Sequence, residues 1–303
     1  MPTAPETAHV AGVRISHPAR VIYPDRGITK LELAKYYEAI GAWIVPHVAG
    51  RVLTLCHCPN GLLRPCAFMR HRKAWGPDVL RRVRIREKTK VGEYLVADDV
   101  RAVVGLVQMG IVEIHTWNSN VRDVERPDRI IWDLDPGPDV AWPAVIDAAR
   151  TVRRLLDVLG LACWVKTTGG KGLHVVVPIK PKRTWSECLE FSRAVAAALV
   201  RSDPSRYTVT YAKRGRERQI LVDYLRNNRT NTSVSAYSTR ARSGSPVSVP
   251  IAWDELSARL NPSRFTIASV LRRLAGERAD PWSGYWKARQ QVTDVALAAV
   301  AEV

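Results

Sequence analysis

The stretch from Arg129 to Gly137, RIIWDLDPG, constrains the fold of this chain most strongly. Its pattern predicts a β-strand, and side chains two residues apart on a strand share a face, so Asp133 and Asp135 should point the same way. Two adjacent carboxylates repel each other unless one takes up a proton or a cation lies between them. The Pro-Gly pair ends the strand and places the carboxylates at a sheet rim. The pattern favours a divalent-metal site, with helix capping or arginine pairing as the alternative.

The overall charge indicates a polyanionic partner. The 303 residues include 46 lysines and arginines against 29 acidic residues, a net charge of +17. Nucleic acid is favoured ahead of an acidic membrane surface, with a merely basic, solubilising surface as the alternative. No apolar run is long enough to cross a bilayer, and residues 1–12, which we expect to be loose, have no secretion signal. We therefore expect a cytoplasmic protein.

The five cysteines are odd in number and scattered, which predicts reduced, partly buried thiols rather than a disulfide framework. Cys56, Cys58 and Cys66, with His57 and His71 nearby, offer zinc ligands as an alternative. Because Cys-x-Cys is not the usual CxxC knuckle, zinc is the less favoured interpretation.

A basic cluster surrounds the first predicted helix. Thr29 and Glu32 form a capping box that starts a helix running to about residue 46. His17, Arg20 and Lys30 lie around this start, where backbone amides favour anions. The cluster predicts a phosphate site, with ordinary surface charge as an equal alternative.

Residues 51–96 predict short strands and turns, followed by a helix over 98–112 and a strand over 111–118 that leads His115 to its end. Phe68 stands beside basic residues, an arrangement suited to stacking on a base while holding the nucleic-acid backbone. The alternative is a phenylalanine of the core.

A glycine-rich turn separates two further predicted strands, 162–166 and 173–179. It is not a P-loop, because the leading glycine is missing and a strand follows Lys171-Gly172 where a P-loop has a helix. Its backbone N–H groups beside Lys171, with Thr168 and His174 as donors, nevertheless predict phosphate binding. A structural hairpin turn is the alternative.

Two helices and a third acidic strand complete the pattern. Asp139 is a candidate cap for a helix that ends at Gly160, and a capping box at Thr184 opens a helix to about residue 200. A basic turn over 213–218 leads into the apolar strand 219–224, which carries Asp223. A lone aspartate there is costly to bury unless it is paired or binds metal.

Five segments in this order carry a family resemblance. They are HTWN, RPDRIIWDLDPGP, KTTGGKGLHVVVPI, ILVDYLRNNR and AYSTRARSGSPVSVPI. Together they resemble the polymerase domain of bacterial ligase D, in the archaeo-eukaryotic primase superfamily, over residues 13 to 290. The resemblance implies an α/β fold with an RRM-like catalytic sheet and a second α/β module. We expect an N-terminal module at about 13–120, a catalytic module at about 121–250 and a helical part at about 251–303.

The resemblance also implies roles for individual residues. The metal carboxylates would be Asp133, Asp135 and Asp223. The nucleotide would be bound by His115, Thr168, Gly169, Gly170, Lys171, Gly172, His174, Arg216 and Arg240. The DNA 5′-phosphate would be bound by His17, Arg20 and Lys30, and Phe68 would stack on the template. Cys56, His57 and Met69 depart from the usual family pattern beside these DNA contacts.

The function implied by the resemblance is a nucleotidyltransferase of bacterial non-homologous end joining. It would add ribonucleotides, and also deoxynucleotides, to primer 3′-ends at gaps and breaks, using two Mn²⁺ or Mg²⁺ ions. Ku and a DNA ligase would be its partners. A primase that starts chains without a primer and a non-catalytic DNA-end-binding protein are the alternatives.

Overall fold

The computed structural model describes residues 6–71, 76–276 and 280–302. The strands, in chain order, are β1 Thr7–Val10, β2 Val13–Ser16, β3 Val21–Tyr23, β4 Ile28–Thr29, β5 Arg51–His57, β6 Ala67–Met69, β7 Arg81–Arg86, β8 Val91–Val96, β9 Ile111–Asn120, β10 Asp123–Pro127, β11 Arg129–Pro136, β12 Trp164–Thr167, β13 Leu173–Pro178, β14 Tyr207–Thr208, β15 Ile220–Asp223, β16 Ser233–Val234 and β17 Pro250–Ile251. The helices are α1 Lys30–Ala39, α2 Gly41–Val48, α3 Val100–Gln108, α4 Trp142–Val158, α5 Trp185–Ser202, α6 Ile267–Gly276 and α7 Asp294–Glu302.

The chain forms two units, and each unit is built from three separate segments of the chain. The first unit takes the described residues of Met1–Trp117, Ser233–Ser248 and Ser263–Glu277, and the second takes those of Asn118–Thr232, Val249–Pro262 and Arg278–Val303. The first crossing, after Trp117, lies close to the boundary expected at about 120. The expected helical part at 251–303 is not a separate unit, because its residues divide between both.

The first unit begins with a β-hairpin. Strands β1 and β2 pair antiparallel, from Thr7 opposite Ser16 to Val10 opposite Val13. The prediction of a loose N-terminus was therefore wrong for residues 7–10, and its residues 1–5 lie outside the described part of the chain. Further on, β7 pairs with β8, and β5 lies between β6 and β9.

The helix predicted after Thr29 starts where expected, but the structure has two helices, α1 and α2, in place of one. The Thr29 hydroxyl accepts from the backbone N–H of Glu32, and the Glu32 carboxylate accepts from that of Thr29, so the capping box is present. At Ile40 the backbone leaves helical geometry, and α2 starts anew at Gly41. A Cβ at Gly41 would lie 2.8 Å from a methyl of Val100, so this close approach to α3 favours glycine at the junction.

The second unit is built around a six-stranded sheet in the order β14-β15-β11-β13-β12-β17. Strand β11 lies near its middle and pairs antiparallel with both β13 and β15. On one face Trp132 contacts helix α5, where its indole N–H donates to the Ser192 carbonyl and its ring meets the edge of Phe191. On the other face Ile131 packs with Val176, Trp282 and Tyr285. Strands β12 and β13 confirm the predicted strands 162–166 and 173–179. Helix α5 begins with the predicted capping box at Thr184.

The prediction that Asp139 caps helix α4 was wrong. The helix begins at Trp142, with Ala141 at the N-cap position and no side-chain cap. The backbone N–H groups of Gly137 and Asp139 instead donate to the carbonyls of Gln219 and Glu217, and the chain turns at residues 138–139, where the N–H of Val140 donates to the Gly137 carbonyl. No helix in the described ranges combines the length and apolarity needed to span a bilayer.

The prediction that all five cysteines are reduced was wrong for two of them. Cys58 and Cys66 form a disulfide, while Cys56, Cys163 and Cys188 are buried free thiols. The sulfur atoms of Cys56, Cys58 and Cys66 lie within 4.8 Å of one another, but two of them are bonded together and are not available to zinc as thiolates. His71, the other candidate zinc ligand, contacts Glu87 at 2.5 Å.

Candidate active site

A row of polar side chains crosses the sheet of the second unit. Asp133 is opposite Asp223 of β15 on one side and His174 of β13 on the other, and His174 is opposite Lys166 of β12. Directly opposed residues of neighbouring strands point to the same face, so these four side chains share one face of the sheet. Asp135 lies two residues beyond Asp133 and shares that face. The three predicted metal carboxylates are thereby brought together.

Arg226 contacts two of these carboxylates. Its Nε lies 2.9 Å from Asp223 Oδ2, and its Nη2 lies 3.1 Å from Asp133 Oδ2. The Tyr211 hydroxyl and the backbone N–H of Leu225 donate to Asp223 Oδ1 at 2.7 and 2.9 Å. The side chains of Asp133 and Asp223 are 14% and 7% exposed, whereas that of Arg226 is 38% exposed. The arginine therefore keeps access to solvent while it contacts two largely buried carboxylates.

Asp135 is the accessible member of the set. Its side chain is 52% exposed, and its Oδ2 lies 2.9 Å from Nη2 of Arg216, which also donates from Nη1 to the Asp135 carbonyl at 3.2 Å. The buried Nε of Arg216 has no hydrogen-bond partner in the described part of the chain. A cavity of about 490 Å³ opens here, and its lining includes Lys171, Lys213 and Arg214. Four basic residues, Arg216 among them, and two acidic residues, Asp135 and Glu217, therefore line this cavity.

The two facing aspartates have opposite pKa shifts. Burial alone would raise the pKa of Asp133, but His174 and Arg226 hold it below its ordinary value. Burial raises the pKa of Asp223 in spite of Arg226. Burial also lowers the pKa of His174 to about 3, so its imidazole is neutral at physiological pH and lies 3.4 Å from Asp133 Oδ1. Two facing carboxylates repel each other, and this repulsion contributes to the raised pKa of Asp223.

The glycine-rich turn brings Lys171 to the same side. The backbone N–H and the hydroxyl of Thr168 both donate to the Gly172 carbonyl at 3.2 Å, which closes the turn. Gly169 has φ +68°, a left-handed conformation that favours glycine. A Cβ at Gly172 would overlap the carbonyl oxygen of Leu134 on β11. The glycines therefore seat the turn against the strand that carries the aspartates, with Gly170 completing the turn.

Two predicted nucleotide contacts, His115 and Arg240, lie in the first unit and share one acidic partner. Glu113 is two residues before His115 on β9, and its Oε2 lies 2.8 Å from Nε2 of that histidine. Its Oε1 lies 3.1 Å from Nε of Arg240 and accepts from the backbone N–H of Ala241 at 2.7 Å. Burial alone would raise the pKa of Glu113, but the contacts with His115 and Arg240 lower it to about 2. A buried carboxylate thus orients both side chains.

Phe68 is an exposed aromatic residue on an edge strand. It lies on β6 opposite Cys56, and 64% of it is accessible. Its ring meets the ring of His115 edge-on at a centroid distance of 5.3 Å. This exposure fits a stacking surface, and the alternative of a core phenylalanine was wrong.

The predicted 5′-phosphate residues divide into two groups. His17 and Arg20 line a cavity of about 610 Å³ together with Arg14 and Ser16. His17 has φ +51°, and Arg20 donates to the Pro59 carbonyl at 2.5 Å. Lys30 is only 4% exposed, and its ammonium donates to the Ser16 carbonyl and to the backbone and side chain of Gln108 at 2.9–3.1 Å. Lys30 therefore lies in the interior and holds the backbone of Ser16, which lines the cavity.

The match to a family model decides the classification. The model of the LigD primase-polymerase domain matches residues 29–282. The chain belongs to the LigD primase-polymerase family. This family consists of metal-dependent nucleotidyltransferases, so the α/β polymerase expectation is confirmed at the level of family and fold.

LigD proteins of several bacteria are similar to this chain. A multifunctional non-homologous end joining protein LigD of Pseudomonas aeruginosa is 38% identical over 292 residues, which cover 94% of this chain and 34% of that protein. The LigD of Mycolicibacterium smegmatis is 32% identical over 247 residues, covering 81% of this chain and 32% of that protein. The chain thus spans about a third of the length of these relatives. The polymerase domain from Mycobacterium tuberculosis ligase D in complex with DNA matches with a TM-score of 0.81 at 27% identity, over 87% of this chain and 94% of that one.

Sequence reasoning missed three residues of this LigD polymerase-type site. Arg226 carried a signal, because it follows Asp223 by three residues and can contact it. Glu113 carried a signal, because it precedes His115 by two residues on a strand and must share its face. Tyr211 carried no such sequence signal, since only the folded chain brings its hydroxyl to Asp223.

Proposed function

We propose that this chain adds ribonucleotides, and also deoxynucleotides, to primer 3′-ends at DNA gaps and double-strand breaks in bacterial non-homologous end joining. The observation that carries the proposal is the register of Asp133 opposite Asp223, with Asp135 on the same face, in a member of the LigD primase-polymerase family. Carboxylates from neighbouring strands are the ligands that hard divalent cations prefer.

The three aspartates fit a pair of divalent cations, Mn²⁺ or Mg²⁺. The arrangement is compatible with ion binding because Asp135 is half-exposed and Arg226 has an open path to solvent. When bound, such cations supply charge neutralisation at the leaving pyrophosphate and a lower pKa of the primer hydroxyl. The neutral imidazole of His174 keeps Asp133 oriented from the neighbouring strand without competing as a cation.

The basic cavity next to Asp135 suits the triphosphate of the incoming nucleotide. Lys171 and Arg216 contribute charge there, and the glycine-rich turn of residues 168–172 offers backbone donors. In the first unit, His115 and Arg240, oriented by Glu113, are further proposed nucleotide contacts. Phosphoryl transfer needs positioning and charge stabilisation more than covalent help, and these groups supply both.

The first unit carries the proposed DNA contacts. His17 and Arg20 border a cavity large enough for a phosphate, and Lys30 adds positive charge beneath it. The exposed ring of Phe68 is proposed to stack on template DNA. Ku and a DNA ligase are proposed partners, and a cytoplasmic location stays a prediction.

Extension of a gapped duplex tests the proposal. The substrate carries or lacks a 5′-phosphate at the far side of the gap and is offered with ribo- or deoxynucleotides and with Mg²⁺ or Mn²⁺. We expect addition to the primer with either cation, more with ribonucleotides and with the 5′-phosphate. Absence of primer extension under all of these conditions would contradict the proposed function, and synthesis on unprimed single strands would favour a primase.

A further inference from the structure

The disulfide between Cys58 and Cys66 closes the loop that joins strands β5 and β6. Cys58 follows β5 directly, and Cys66 precedes β6 directly. The two strands pair antiparallel with His57 opposite Ala67, so the two cysteines form the next facing pair. The covalent bond therefore continues the strand ladder by one pair at its open end.

This bond constrains a short strand at the edge of its sheet. Strand β6 has three residues and lies at the edge of its sheet, with β5 as its neighbour. It carries Phe68, which is 64% exposed and touches the ring of His115. A short edge strand with an exposed aromatic ring gains order from a covalent bond at the residue directly before it.

The same loop supports the cavity of His17 and Arg20. Arg20 donates from Nη1 to the carbonyl of Pro59, the residue next to Cys58. The turn continues at Gly61, where a Cβ would overlap the carbonyl of Val21, so the loop is in close contact with the residue that follows Arg20. The position of the loop thus determines the position of a proposed phosphate contact.

Of the two bonded cysteines, Cys66 is the more accessible one. Cys58 is fully buried, while Cys66 is half-buried at the surface of the loop. The third thiol of the cluster, Cys56, lies 3.9 Å from the sulfur of Cys58, but burial raises its pKa to about 11. A protonated thiol is a poor nucleophile, so Cys56 does not compete in the exchange.

We propose that Cys58–Cys66 is a reversible disulfide whose formation orders the DNA-contact loop and raises affinity for gapped DNA with a 5′-phosphate. The inference rests on the proposed function, because the affected residues are its DNA contacts. On formation, the two thiols lose two electrons and two protons to a low-molecular-weight disulfide, which becomes two thiols. On reduction, an external thiolate attacks Cys66 and releases Cys58, and a second thiolate regenerates Cys66.

The test compares the full chain in its two oxidation states. Thiol titration in denaturant should find three thiols after treatment with oxidised glutathione and five after treatment with dithiothreitol and its removal. Fluorescence anisotropy with a 5′-phosphorylated gapped duplex should give a dissociation constant about 3- to 10-fold lower for the oxidised state, the gain expected from preorganising one loop. A duplex without the 5′-phosphate should show a smaller difference.

Variants separate the disulfide from general thiol effects. The double substitution Cys58→Ser with Cys66→Ser should bind like the reduced protein under both treatments, and Cys188→Ala, in helix α5, should keep the full difference. Five titratable thiols after oxidation, or equal affinity in both states, would overturn the inference. Primer extension is measured alongside: oxidation-dependent DNA affinity without any nucleotide addition would support the disulfide and contradict the proposed polymerase.

Discussion

Asp133 and Asp223 lie directly opposite each other on antiparallel strands, and the guanidinium of Arg226 contacts both carboxylates. A pair of carboxylates held this close needs a positive partner. Arg226 fills that need here, and its side chain is partly exposed. Under the proposed function, divalent cations would replace this arginine as the positive partner of the two carboxylates.

Substitution of Arg226 by Met should make the stability of the chain depend on divalent cations. Breaking a buried ion pair costs about 3–5 kcal/mol. Since Arg226 is 38% exposed, we expect a loss of about 1–2 kcal/mol in the free energy of unfolding. Mn²⁺ should restore more of the melting temperature in Arg226→Met than in the wild type, as measured by calorimetry.

Arg229→Met is the matched control, because Arg229 pairs with Glu125 away from the aspartates. Its melting temperature should respond to Mn²⁺ as the wild type does. An equal Mn²⁺ response in Arg226→Met and Arg229→Met would contradict the view that arginine and cation compete.

Substitution of Gly137 by Ala should disturb the basic turn beside the active site. A Cβ there would overlap the backbone carbonyls of Arg216 and Glu217, which cannot move without shifting the turn. We expect destabilisation by about 1–3 kcal/mol and a higher KM for the nucleotide, because Arg216 is displaced. Gly276→Ala, where the added Cβ meets nothing within 4 Å, should leave both quantities unchanged.

Substitution of Glu113 by Gln should weaken nucleotide binding. The carboxylate orients His115 and Arg240 together, and the amide cannot accept from both. We expect the KM for the nucleotide to rise about 10-fold while kcat changes less. Steady-state kinetics would check this, with Glu190→Gln on the exposed side of helix α5 as control; an unchanged KM would show that Glu113 does not position these groups.

Recognition of the 5′-phosphate should weaken at alkaline pH. Burial and the nearby charge of Arg20 lower the pKa of Lys30 to about 8 from its ordinary value of 10.5. Lys30 is therefore positive below this pH and neutral above it, while the phosphate stays dianionic. The ratio of affinities for DNA with and without a 5′-phosphate should fall between pH 7 and 9.5 in the wild type.

The same ratio should be independent of pH over this range in Lys30→Met. Stability should move in the other direction, because a folded-state pKa below the unfolded value means that the unfolded chain binds more protons between pH 8 and 10.5. The free energy of unfolding therefore gains a contribution as pH rises through this window. An affinity ratio that stays constant from pH 7 to 9.5 in the wild type would exclude a charge role for Lys30.

The local features of the site could be predicted from sequence. Strand alternation put Asp133 and Asp135 on one face, and the apolar run before Asp223 marked it as the end of a strand. The capping boxes at Thr29 and Thr184 are likewise local. Such features depend on residues within a few positions of one another, so periodicity is sufficient to find them.

The remaining features depend on long-range pairing. The register of Asp133 with Asp223 joins residues 90 positions apart, and no local pattern determines it. The prediction that Asp139 caps α4 was wrong because the backbone N–H of Asp139 donates to the carbonyl of Glu217, a residue of a distant turn. For Lys30 the sequence left a phosphate site and ordinary surface charge as equal alternatives, and it could not show that Gln108 from another helix supplies acceptors that bury its ammonium.

The central claim is that the three aspartates hold cations for nucleotide transfer, and gap filling by Asp223→Asn tests it most directly. The nearly isosteric change removes one ligand charge and leaves the DNA-contact residues intact. With saturating Mn²⁺ and nucleotide, we expect primer extension at least about 100-fold slower than wild type, unchanged affinity for gapped DNA, and wild-type extension by Asp157→Asn on helix α4. Extension by Asp223→Asn at close to the wild-type rate would contradict the account.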